Sequence, residues 1–113
     1  MVSKFQSLKK NREFQSVYRS GISKVNKSFV MLVRENSLDY NRIGISVSKK
    51  VGNSVVRHRV TRVIREIFRL HWEEINQGYD IVIVARTSAR DSEYVRLESA
   101  ILHLLKLHRL FES

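Results

Sequence analysis

The chain has 113 residues, one domain's worth of sequence and enough to close a hydrophobic core without staples. It contains no cysteine, which excludes disulfides, thiolate metal sites and cysteine nucleophiles, and no apolar run approaches the roughly 18 residues of a membrane span. Lysine and arginine total 21 against 11 acidic residues, a net charge of +10, while an apolar content of 42% excludes a disordered tail protein.

In chain order, residues 11–20 read as a short helix. Asn11 can cap it, Phe14, Val17 and Tyr18 share a face at i, i+3 and i+4, and Gly21 stops it. Residues 22–34 read as β structure, with Phe29, Met31 and Val33 alternating against Ser28, Val30 and Leu32. After a polar turn at 36–41, residues 42–48 alternate again, with Ile43, Ile45 and Val47 on one face and Gly44, Ser46 and Ser48 on the other. Gly52-Asn53 opens a long amphipathic helix running to about residue 74, with Asn53 or Ser54 as its cap. Gln77-Gly78 ends that unit. The apolar run 81–85 fits a strand buried on both faces and central in its sheet. Asp91 or Ser92 caps a last helix whose buried stripe is Leu97, Ile101, Leu104 and Leu105. Helix, strands, helix, strand, helix make a mixed α/β sandwich on one small sheet. No linker, repeat or proline marks a second domain, so residues 1–113 read as a single unit.

The charge is uneven. Residues 1–69 carry 16 basic and 4 acidic side chains, residues 70–113 carry 5 and 7, and residues 42–69 alone hold eight basic groups and one acid. On the helix from residue 54, Val56, Val60, Val63, Ile64 and Ile67 gather on one side. His58, Arg62, Arg65 and Arg69 fall within about 60° of each other on the opposite side. Arg57 and Arg59 flank that stripe and Thr61 sits inside its border. Like charges at i, i+4 destabilise an isolated helix by a few tenths of a kcal/mol per pair, a penalty that a docked polyanion removes. Lys49-Lys50 stand just before the helix start, where free N–H groups favour anions. The expectation is a nucleic-acid partner. The plainer alternative is a solvated basic face with an exposed lysine pair at a turn. Spacing alone assigns Phe14 and Tyr18 to the core; an open groove that stacks unpaired bases is the other reading. No enzymatic site emerges. Asp80 precedes a strand, Glu73-Glu74 close a helix, the histidines at 58, 71, 103 and 108 make no metal spacing, and no serine sits in a nucleophile elbow. The lack of thiols and of a signal-peptide core points to the cytoplasm.

Residues 49–62 resemble the signature of the bacterial ribonuclease P protein subunit, K-x-x-G-x-A-V-x-R-N-x-x-K-R at the head of its central helix. Lys49, Gly52, Val55, Arg57 and Arg62 match it; Ser54 stands for alanine, His58 for asparagine and Thr61 for lysine. Leu8-Lys9-Lys10, Phe14-Gln15 and Val17-Tyr18 resemble the family's first helix, residues 42–50 its third strand and loop, and residues 80–86 its fourth strand. The resemblance implies an α+β fold (αβββαβα): a small mixed four-stranded sheet, three helices and a left-handed β–α–β crossover, as in ribosomal-protein-S5-domain-2-like folds. The handedness rule alone predicts a right-handed crossover. It further implies the protein partner of a catalytic RNA that removes the 5′ leader of precursor tRNA, with that RNA and its bound Mg2+ carrying out the hydrolysis. By position, Lys49, Lys50, Asn53, Arg57, His58, Arg59, Arg62, Arg65 and Arg69 would meet the catalytic RNA. Phe14, Tyr18, Val30 and Leu32 would line a leader cleft, with Ser46, Ser48, Arg57 and Arg65 nearby. Family members often carry an aromatic where Leu32 stands. No protein residue is implied as catalytic or metal-binding.

Three other classes share some of these features. A ribosomal-type or chaperone RNA-binding protein would have the charge and size but no role in tRNA processing. A DNA-binding regulator would show a helix-turn-helix spacing or dimer-forming heptads, and neither occurs. A self-sufficient metal nuclease would cluster its acids, and here they are scattered.

Overall fold

The computed structural model describes residues 7–111. Helix α1 (Asn11–Ser20) leads into strands β1 (Ile22–Val25), β2 (Phe29–Glu35) and β3 (Arg42–Ser46). Helix α2 (Ser54–Leu70), strand β4 (Tyr79–Ala85) and helix α3 (Tyr94–Leu107) follow, with 3-10 turns at Trp72–Glu74 and Thr87–Asp91. The sheet order is β1-β2-β4-β3. β1 and β4 run antiparallel to β2, and β3 runs parallel to β4, with α2 as the crossover between them. Three helices on a mixed four-stranded sheet form the expected α+β fold.

β4 lies inside the sheet, as its apolar run requires, and each of its faces has a cover. Ile81 and Ile83 join Phe29 and Met31 of β2, Ile64 and Phe68 of α2, and Leu97 and Leu104 of α3 in the larger core. Val82 joins Leu8, Val17 and Leu32 in a smaller cluster beneath α1. Both faces of β2 are therefore apolar, which is why its alternation looks weak in the sequence. α3 buries the predicted stripe of Leu97, Ile101, Leu104 and Leu105 completely.

Local chemistry moves several boundaries. The segment 22–34 is two strands, because the Asn26 carboxamide accepts from the backbone N–H groups of Ser28 (3.1 Å) and Phe29 (3.0 Å) and closes a turn without glycine or proline. β3 stops at Ser46, and a turn closes where the Val51 N–H donates to the Ser48 carbonyl. α1 starts as expected, but Asn11 is its first residue rather than its cap, and the Glu13 carboxylate folds back to accept from the backbone N–H groups of Lys9 and Lys10 just ahead of the helix. α2 ends at Leu70 instead of near residue 74, and the chain turns at His71 into the Trp72–Glu74 turn, which buries Trp72. The last helix is preceded by Glu93 rather than by Asp91 or Ser92, since residues 87–91 form their own 3-10 turn. On α2, Val60, Ile64 and Ile67 are buried as predicted, Val56 and Val63 are half-buried, and Phe68 completes the buried face.

Candidate nucleic-acid interface

The α1 face of the sheet carries three rows of side chains running across the strands, fixed by register. The first is Val25, Val30, Val84 and Ser46; the second Ser23, Leu32, Val82 and Gly44; the third Arg34, Asp80 and Arg42. α1 lies over the second row. The Phe14 ring packs on Gly44, where a Cβ would stand 2.6 Å from the ring edge, so no larger residue fits while α1 is seated. Val17 and Leu32 are buried there.

The third row anchors the helix. Asp80 is 1% exposed and receives a bidentate bond from Arg42 (both 2.8 Å) and a third from Asn36 at 2.9 Å. Arg42 also reaches Glu13 on α1 at 3.2 Å. Burial works against the charge on Asp80, yet the bonds from Arg42 and Asn36 hold its carboxyl below the usual carboxylate range. Glu13 and Ser20 thus fix the side of α1 that looks toward the third row. Phe14 and Tyr18, about 100–140° round the helix from Glu13, look toward the first row. That row is only partly covered: Val25 is 53% exposed, Val30, Val84 and Ser46 are half-buried, and Tyr18, on the helix face turned this way, is 43% exposed. The result is an open apolar strip with an aromatic wall. Tyr18 is not core, contrary to its reading from spacing; Phe14 is half-buried. Leu32 lies in the closed floor under α1 rather than in the open strip. Val25 and Val84 were missed, because only strand register reveals that they extend the row.

β3 leads from this strip to the second surface. Beyond Ser46, Val47 lines a groove of about 370 Å3 with Ser54, Arg57, His58, Thr61, Arg62 and Arg65 of α2. Ser48, Lys49 and Lys50 are exposed in the connecting turn. The Asn53 carboxamide oxygen caps α2, accepting from the Val56 N–H at 3.0 Å. Arg57 Nε donates to the Gly52 carbonyl at 3.2 Å, which lays that side chain along the turn. Arg59 is drawn aside by the Arg90 carbonyl (2.8 Å), and Arg69 pairs with Glu66 at 2.6 Å. The side chains of His58, Arg62 and Arg65 are exposed and bond to no other described residue, and the same holds for Lys49 and Lys50. The free cationic patch is therefore shorter than the sequence stripe, and it sits at the head and middle of α2.

Among the described residues no group of three or more histidine, aspartate or glutamate side chains is placed to hold a metal ion. No helix among them is long and apolar enough to cross a membrane.

The family model described as Ribonuclease P matches residues 2–109. The ribonuclease P protein component of Lachnoclostridium phytofermentans is 53% identical over 108 residues, 96% of this chain and 93% of that protein. That of Alkaliphilus oremlandii is 48% identical over 106 residues, covering 94% and 93%. Among solved structures, the Staphylococcus aureus RNase P protein superposes with a TM-score of 0.89 at 39% identity, covering 96% of this chain and all of that one. The Thermotoga maritima protein gives 0.84 at 34% identity, covering 90% and 96%. With the match running almost end to end in both sequence and fold, the chain belongs to the ribonuclease P protein family.

Proposed function

We propose that this chain is the protein subunit of ribonuclease P, binding a catalytic RNA through α2 and the 5′ leader of precursor tRNA along the open strip beside α1. The observation that carries the reading is the join at residues 46–50, where a partly open apolar row flanked by the aromatic face of α1 runs into a patch of cations with no partner among the described residues. A single-stranded leader asks for stacking faces and tolerates any base. A folded RNA asks for cations on its phosphates. Precursor tRNA joins the two, because the leader hangs from the RNA-bound body of the substrate. Lys49, Lys50, His58, Arg62 and Arg65 take phosphates in this reading, with Arg57 at the boundary. Phe14, Tyr18, Val30 and Ser46 meet the leader.

The hydrolysis belongs to the RNA and to Mg2+ held mainly by it. Among the described residues no three acidic or histidine side chains gather as a metal site, and several carboxylates are already engaged: Asp80 by Arg42 and Asn36, Glu66 by Arg69, and Glu74 and Glu98 by His71. The protein contributes binding and orientation, in the cytoplasm where tRNA is made. Reconstitution with a bacterial ribonuclease P RNA and end-labelled precursor tRNA tests this. The chain should raise cleavage at limiting Mg2+ and tighten precursor over mature tRNA. Protein alone cutting the substrate, or RNA binding with no effect on leader removal, would overturn it in favour of a nuclease or of a general RNA-binding protein.

A further inference from the structure

α2 carries a second concavity, which shares the cations His58 and Arg62 with the phosphate surface but adds the apolar side chains Val55 and Val63, to which the reading above gives no role. It measures about 560 Å3 and is lined by Ser54, Val55, His58, Arg59, Arg62 and Val63. Val55 is 76% exposed, the highest value for any large apolar side chain among the described residues. A lone exposed valine needs no explanation. This one sits in a groove whose remaining walls are a second valine (Val63), two arginines, a histidine and a serine, with no carboxylate. One guanidinium nitrogen of Arg59 donates to the Arg90 carbonyl at 2.8 Å, which fixes that side chain at the groove's wall.

An apolar surface beside fixed cations suits a ligand that is flat and apolar on its face and anionic along its attachment. Acidic peptide would use the guanidiniums and leave Val55 idle. An acyl chain needs far more apolar surface than two valines present. An unpaired nucleobase matches both features, with its face against Val55 and its flanking phosphates near Arg59 and Arg62. We infer that the Val55–Val63 groove receives one unpaired base of the catalytic RNA, so that α2 reads a bulged or looped nucleotide as well as backbone charge. This rests on the catalytic-RNA reading of α2.

The test is affinity for a bacterial ribonuclease P RNA across a salt series, for wild type, Val55→Ser, Val55→Ile and Arg62→Ala, with a melting curve for each free protein. Val55→Ser should bind about fivefold more weakly at every salt concentration with an unchanged log–log slope, because an apolar contact releases no counterions. Val55→Ile should bind like wild type, Arg62→Ala should flatten the slope, and all four melting temperatures should agree closely. RNAs made abasic at single unpaired positions should include one that loses the same factor with wild type and nothing further with Val55→Ser. Equal affinity of Val55→Ser and wild type overturns the base pocket while leaving the phosphate surface standing, as does a full set of abasic RNAs each additive with Val55→Ser. Failure of wild type to bind the RNA overturns the catalytic-RNA reading and this inference together.

Discussion

The two faces of one sheet are finished differently. Among the described residues, the face under α2 and α3 belongs to a core of 21 buried side chains, whereas only four are buried in the cluster under α1. Neighbours in sequence are split between the two. Phe29 and Met31 are fully buried, while Val30 between them is half-buried on the open strip. Sealed and open positions thus alternate along β2, and a substitution's effect on stability should depend on strand parity more than on hydrophobicity. A short helix lying across the strands covers the middle of its face and leaves one row open. Two helices cover the other face fully.

Substitutions that respect this parity should separate folding from binding. The largest effect is expected at Phe68→Ala, which empties the sealed face and should cost about 3–5 kcal/mol of unfolding free energy by denaturant titration. A cost under about 1 kcal/mol would mean that face is not the main core. Tyr18→Ala on the open face should leave unfolding within about 1 kcal/mol of wild type. It should weaken precursor tRNA binding by the holoenzyme roughly 10–100-fold and spare mature tRNA. Equal loss for both tRNAs, with a large fall in Tm, would return Tyr18 to the core. Arg62→Ala with Arg65→Ala should keep Tm and flatten the salt dependence of catalytic-RNA binding by roughly 1.5 in log–log slope. An unchanged slope would move the phosphate surface elsewhere.

The smallest effect sharpens the sealed face. His71 lies between Glu74 (2.6 Å) and Glu98 (2.7 Å) and donates to both when protonated, tying the turn after α2 to α3. Burial works against its charge, but the two carboxylates outweigh it and raise its pKa above the usual 6.5. A raised folded-state value means the contribution is full below about pH 6.5 and fades as pH rises through the shifted value. His71→Asn should therefore lower Tm by a few degrees at pH 5.5, about 1 kcal/mol, and by less at pH 8.5. A gap that widens with pH would contradict this pairing. Asp80 has the opposite sign: its lowered pKa stabilises above about pH 4, and the benefit is lost on acidification.

Elements with their own punctuation were legible in the sequence, and features made by distant partners were not. α1 was readable because Gly21 ends it, and β4 because an apolar run needs cover on both faces. The turn at Asn26 hid because a side chain makes it, without glycine or proline. Helical spacing put His58, Arg62 and Arg65 together correctly. It could not show that Arg59 would be drawn off by a carbonyl 31 residues away, nor that Arg42 would lock Asp80 across 38. The open strip was the least legible part, since Val30, Val84 and Ser46 meet only through strand register.

The central claim is that the open face takes the leader while the α2 surface takes the catalytic RNA. Photo-crosslinking of the reconstituted holoenzyme to precursor tRNA with 4-thiouridine in its leader tests it directly. The account predicts crosslinks on peptides containing Phe14, Tyr18, Val30 and Val84, lost with leaderless tRNA. Crosslinks confined to α3 or to the outer face of α2, with none on α1, β2 or β4, would contradict it.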